Sequence, residues 1–140
     1  MIQLHHDYIN EESPMKRKLK ILIVDDNEAL LSTSKLMFAA LGHNPVAAND
    51  ARQALDILSE ESNIDLIFTD LGLPYINGWE FIRMARSHGF NNPVIVVSGV
   101  SNAPSEPMMA QLNIHKKIGK PFKLNDLREV LESVEKTLAP

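Results

Sequence analysis

The 140-residue sequence contains no cysteine. Disulfides, thiolate zinc sites and cysteine nucleophiles are thereby excluded, and a reducing cytoplasm is the compartment the composition fits. Positive charge is not in excess: 14 Lys and Arg stand against 18 Asp and Glu, a net charge of −4. That balance argues against direct nucleic-acid binding. No apolar run approaches the roughly 18 residues a membrane span needs. The N-terminal MIQLHHDYINEESPMKRK lacks the apolar segment of a signal peptide. Core-forming residues are not scarce. Hydrophobic residues make up 44% and charged residues 23%, which excludes disorder of the whole chain.

Residues 1–18 mix polar, acidic and basic residues without period and read as a flexible tail. Residues 19–140 read as one compact domain. Within it two patterns alternate. Leu19–Val24, Ile64–Phe68 and Pro93–Val97 are short, nearly continuous apolar runs rich in β-branched residues, the signature of strands buried on both faces. Pro45–Ala48 and His115–Ile118 are weaker strand candidates, and the lysines of the latter suit a sheet edge.

Helical spacing fills the intervals. Leu30, Ser34, Met37, Phe38 and Leu41 recur ahead of Gly42; Ala51–Leu58 and Trp79–Ser87 follow. Leu124, Leu127, Leu131, Val134 and Leu138 stripe a last helix, with Asn125 as its expected N-cap. Pro104 and Pro107 predict a short helix that begins near Pro107. Five β-α repeats imply a doubly wound parallel sheet, whose chemistry gathers beyond the carboxyl ends of its strands.

Those ends carry Asp25-Asp26, Asp70, Ser98-Gly99 and Lys120-Pro121. Converging carboxylates repel unless a cation or protons compensate, and hard oxygen donors suit Mg2+. With an ammonium and a hydroxyl alongside, such a set can receive a phosphoryl group on a carboxylate.

Taken together, these residues and the Asp70-Leu-Gly-Leu-Pro74-Tyr-Ile-Asn-Gly78 loop resemble the CheY-like receiver domain of two-component response regulators, over roughly residues 19–139. The resemblance implies a flavodoxin-like fold with strand order 2-1-3-4-5 and five helices. It implies Asp70 as phosphoacceptor and Ser98 and Lys120 as holders of the phosphoryl oxygens. Mg2+ would be held by Asp25, Asp26, Asp70 and the backbone carbonyl of Gly72. Pro121 would follow a cis peptide bond. The phosphoryl group would come from a sensor histidine kinase or a histidine phosphotransfer protein. The chain would signal through contact with another protein, act as no enzyme beyond its own phosphorylation and dephosphorylation, and work in the cytoplasm away from membrane and nucleic acid.

The sequence departs from the family at Lys117, where an aromatic residue is usual. That lysine is expected to stay solvated or to meet an acidic partner. Gly72 and Val100 stand where side chains commonly tune the attacking water, and neither can orient one, so a long-lived acyl phosphate is expected. No output domain follows the last helix, so protein contact or onward phosphotransfer is expected if the chain is complete. Two alternatives compete. One is a receiver-fold adaptor that works without phosphorylation. The other is a haloacid-dehalogenase-type phosphohydrolase, disfavoured by the adjacent Asp25-Asp26 and by the lack of room for a cap.

Overall fold

The computed structural model describes residues 17–99 and 105–138. Most of the expected tail, His5 and His6 included, lies outside the described residues, as do Val100 and Pro104. Five strands form one parallel sheet: β1 (Lys20–Val24), β2 (Asn44–Ala48), β3 (Leu66–Asp70), β4 (Val94–Ser98) and β5 (Lys116–Gly119), in the order β2-β1-β3-β4-β5. The helices among the described residues are α1 (Glu28–Ala40), α2 (Ala51–Glu60), α3 (Gly78–Ser87), α4 (Glu106–Gln111) and α5 (Leu124–Leu138). None of them is long and apolar enough to cross a membrane.

The apolar runs are continuous because both faces of the central strands are covered. Alternate residues serve opposite cores. Leu22, Val24, Ile67, Val94 and Val96 pack with Ala54 of α2 and Phe81, Ile82 and Ala85 of α3. Ile21, Ile23, Leu66, Phe68, Ile95 and Val97 pack with Leu31 and Phe38 of α1 and Leu127, Leu131 and Val134 of α5. In the second core the Phe68 ring meets Phe38 edge-on at 5.0 Å and Phe122 at 5.6 Å. Each such aromatic pair adds about 0.5–1.5 kcal/mol beyond burial. Phe122 thereby fastens the chain just beyond Lys120 to the centre of the sheet.

Side-chain caps start the helices that follow β1, β2 and β3. Asn27 accepts from the Leu30 amide at 3.1 Å, Asp50 from Gln53 at 2.8 Å and Asn77 from Glu80 at 2.9 Å. α4 starts at Glu106 behind a Ser105 cap, one residue ahead of Pro107. At α5 the expected cap is corrected. Helix α5 starts at Leu124, so Asn125 already lies in its first turn. The bond across the helix start comes from Asp126, whose carboxylate accepts from the Lys123 amide at 2.8 Å. Asp126 stands three residues on, where an acid reaches back to the first free N–H.

Candidate functional site

Parallel pairing puts the carboxyl ends of all five strands on one edge. β1 ends beside β3, and Asp70 of β3 stands in register with Val97 of β4. Ser98 follows Val97 and is in register with Gly119 of β5. The Lys120 amide then donates to the Ser98 carbonyl at 2.9 Å, which ties the lysine's backbone to the end of the neighbouring strand. The Lys120–Pro121 peptide is cis, as the resemblance implies.

Three of the expected site residues share one small volume. Asp25, Asp26 and Asp70 each offer a carboxylate oxygen, all within 4.8 Å of one another. Asp25 and Asp70 are each 7% exposed and Asp26 is exposed. Lys120 Nζ donates to Asp70 Oδ2 at 2.8 Å and lies 3.6 Å from Asp25 Oδ2. The Gly72 amide donates to Asp70 Oδ1 at 3.2 Å. Both oxygens of the Asp70 carboxylate are therefore held, by groups from two different loops.

Burial pushes the Asp25 carboxyl above its ordinary value, helped by the charges of Asp70 and Asp26; a hydrogen bond from the Asn27 amide and the Lys120 ammonium oppose the shift. For Lys120, burial works to lower the pKa, but the hydrogen bond and charge of Asp70 and the charge of Asp25 outweigh it, so the net shift is upward. The lysine is held as an ammonium among carboxylates. Its one positive charge answers three negative ones, and the repulsion that remains adds to the effect of burial at Asp25. A divalent cation with hard oxygen preferences would relieve it. The donor set fits Mg2+, which takes few protein ligands and keeps waters.

Gly78 is a site residue whose role the sequence did not disclose. A Cβ there would lie 2.4 Å from the Asp70 carbonyl oxygen and 2.7 Å from Leu71 Cα. The Gly78 amide donates to the Leu71 carbonyl at 3.0 Å. The helix start is thus pressed against the backbone that carries the central carboxylate. The available signal was a glycine placed inside the first turn of a helix, where propensity alone disfavours it. Lys117 is half-exposed and pairs with Glu106 of α4 at 3.4 Å.

The description "Response regulator receiver domain" matches residues 21–132. The chain is 33% identical over 113 residues to the Regulator of RpoS of Escherichia coli, a match covering 80% of this chain and 33% of that protein. It is 30% identical over 123 residues to the Autoinducer 1 sensor kinase/phosphatase LuxN of Vibrio campbellii, covering 88% of this chain and 14% of that protein. The chain spans a third or less of the length of either relative. The crystal structure of a CheY-like response regulator receiver domain protein from Methanospirillum hungatei superposes with a TM-score of 0.79 at 25% identity, covering 86% of this chain and 96% of that one.

Proposed function

Because the chain belongs to the response regulator receiver domain family, we propose that Asp70 accepts a phosphoryl group from a phosphohistidine on a sensor kinase or phosphotransfer protein. The observation that carries this reading is the grip of Lys120 and Gly72 on the Asp70 carboxylate, beside Asp25 and Asp26. A carboxylate oxygen of Asp70 attacks phosphorus as the phosphorus–nitrogen bond breaks. The imidazole leaves with its electron pair and takes a proton from solvent, and an acyl phosphate remains on Asp70. The Lys120 ammonium, already beside that carboxylate, pairs with the phosphoryl oxygens, and the Ser98 hydroxyl donates to one of them. Asp25, Asp26, Asp70 and the Gly72 carbonyl would hold Mg2+, which when bound offsets carboxylate charge and polarises the phosphoryl group.

In this reading the chain is a phosphoacceptor module of the cytoplasm rather than an enzyme. Its phosphorylated form is read by another protein. The test is intact mass after incubation with Mg2+ and a small acyl phosphate, with Asp70→Asn alongside. The expected result is a hydroxylamine-labile gain of one phosphoryl group that the variant lacks. Labelling that persists in the variant would place the acceptor elsewhere. No labelling from acyl phosphate or from phosphohistidine would favour an adaptor that works without phosphorylation.

A further inference from the structure

A cleft of about 620 Å3 opens at the edge of the sheet opposite Asp70. Its walls come from the C-terminal half of α2, the end of α3 and the segments that lead into β3 and β4. Ile64 and Asn92 each stand two residues ahead of a strand, whereas Asp70 and Ser98 close those same strands. Five residues of strand, at about 3.3 Å each, separate the two edges. The cleft is therefore no part of the carboxylate cluster. Its volume falls in the range of about 300–1,000 Å3 that small-molecule sites occupy.

The floor is apolar. Ile64 and Ala85 are buried, while Leu55, Leu58 and Phe90 are covered only in part. The polar groups of the wall are biased toward acceptors. His88 Nδ1 lies 2.8 Å from the Met84 carbonyl, which can only accept, so the neutral ring keeps Nε2 as an acceptor. The Ser59 hydroxyl donates to the Asp56 carbonyl at 2.8 Å, and Asn92 Nδ2 donates to the Ile64 carbonyl at 2.9 Å. Each of these three side chains spends a donor on the backbone and keeps an acceptor. The charge is one-sided too. No lysine or arginine lines the cleft. Asp56, Glu60 and Glu61 crowd the end of α2, whose last turn holds no basic residue. The helix dipole is already negative there, so acids stand at the end that disfavours them. Lys20 answers Glu61. Asp56 is exposed and pairs with no cation among the described residues. Arg86 lies over the Phe90 ring at 5.7 Å, but its donors are committed to four carbonyls and it does not line the cleft.

We propose that this cleft binds a small amphipathic cation, with its apolar body on Leu55, Leu58 and Phe90 and its ammonium at the end of α2 beside Asp56. An alkylammonium brings donors and no acceptor, the complement of the wall it would meet. An anionic ligand of the same shape would meet charge of its own sign. The size of the cleft favours a small molecule over a protein surface, which needs a contact of about 800 Å2 on each partner. The site stands apart from Asp70 and does not depend on phosphorylation there.

Three probes of nearly one shape separate charge from fit: 4-phenylbutylammonium, 4-phenylbutan-1-ol and 4-phenylbutyrate. Each is titrated into the full chain and followed by backbone amide chemical shifts. Mg2+ is present throughout, to compete for the carboxylates around Asp70. Shifts should concentrate in residues 55–64 and 85–92. The ammonium should bind about two- to fivefold tighter than the alcohol, the gain expected of one solvent-facing charge contact, and the butyrate more weakly than either. Asp56→Asn should bring the ammonium down to the affinity of the alcohol and leave the alcohol unchanged. Ser59→Trp, which fills the cleft from an exposed helical position, should remove binding of both. Both substitutions are at exposed positions, and shifts far from the cleft should stay as in wild type. Absence of binding would overturn the proposal. So would an alcohol or butyrate that binds as tightly as the ammonium, or an ammonium preference that survives Asp56→Asn. Shifts centred on Asp25, Asp26 and Asp70, or binding untouched by Ser59→Trp, would place the cation elsewhere and overturn it as well.

Discussion

The two flanks of β4 are built differently. On one side lie β3 and β1, buried along nearly their whole length, and the carboxylate cluster stands on their ends. On the other side lies β5, a four-residue edge strand with three of its residues exposed. Beside it is α4, a six-residue helix with no buried residue of its own. The first flank is fixed by packing on two faces. The second is held by lighter packing, with Leu112 buried and Met108, Ile114 and Ile118 only partly so, and by polar contacts: two bonds from Arg86 to the Leu112 and Asn113 carbonyls at the end of α4, and the Lys117–Glu106 pair. The carboxylates occupy the flank that packing fixes, while Lys120, which reaches across to Asp70, follows β5 on the other and is anchored there by its amide bond to Ser98 and by Phe122 on Phe68.

The largest test of this contrast is Gly78→Ala, on the rigid flank. The new methyl would meet backbone atoms at 2.4 and 2.7 Å, and backbone cannot rotate away as a side chain can. Overpacking should cost about 1–3 kcal/mol, against a gain of up to about 1 kcal/mol in helix propensity. A net loss in denaturant midpoint is expected, with slower labelling of Asp70 as its strand end shifts. A variant as stable and as quickly labelled as wild type would mean that this flank also yields.

On the soft flank the matching test is Arg86→Ala. The guanidinium donates to the carbonyls of Leu112, Phe90, Asn92 and Asn113 at 2.7–3.0 Å. Its loss leaves partly buried acceptors that water can reach only in part, at a cost of about 1–2 kcal/mol. Hydrogen exchange should quicken in α4 and β5 while β1 and β3 keep their protection. Uniform loss of protection would erase the distinction between the flanks.

The same contrast separates what the sequence made legible from what it did not. β1, β3 and β4 could be read because strands buried on both faces become unbroken apolar runs. Asp25, Asp26, Asp70 and Lys120 could be read because topology delivers strand ends to one edge. The α5 cap was misread because Asn125 and Asp126 are both good capping types, and only the helix start decides which one serves. The contact of Gly78 with Asp70 is made through space by the fold of one loop, and no residue spacing encodes it. Lys117 pairs with Glu106 eleven residues away, a distance set by the α4–β5 connection rather than by local pattern.

A smaller effect should appear in acid. Burial lowers the His115 pKa below its ordinary value of 6.5, and the neighbouring Lys116 adds to the shift. His115 Nε2 lies 2.9 Å from Ser133 Oγ, and that hydroxyl donates its own hydrogen to the Val130 carbonyl. The neutral ring can already donate to Ser133, so a second proton brings no new bond here. Between the folded pKa and 6.5 the unfolded chain binds more protons than the folded one. Stability from this group is therefore full above 6.5 and declines as pH falls toward the folded value. His115→Asn should flatten that part of the stability profile, measured by denaturant midpoints. An unchanged slope would assign the acid sensitivity to other groups.

The smallest effect is expected at Lys117, where family resemblance alone would suggest a large one. Its side chain is 52% exposed and its partner Glu106 is 78% exposed. Solvent screens such a pair, and holding two long side chains together offsets most of the gain. Lys117→Ala should change stability by less than about 0.5 kcal/mol, and Asp70 labelling by a small acyl phosphate should stay as in wild type. The pair does bridge β5 to the first turn of α4, the end of that helix farthest from the Arg86 bonds. If phosphorylation moves that end, the pair must break or re-form. The change in α4 hydrogen exchange between phosphorylated and unphosphorylated protein should then differ between Lys117→Ala and wild type. An identical change in both proteins would show that the β5 edge takes no part in the response and that the soft flank is soft for another reason.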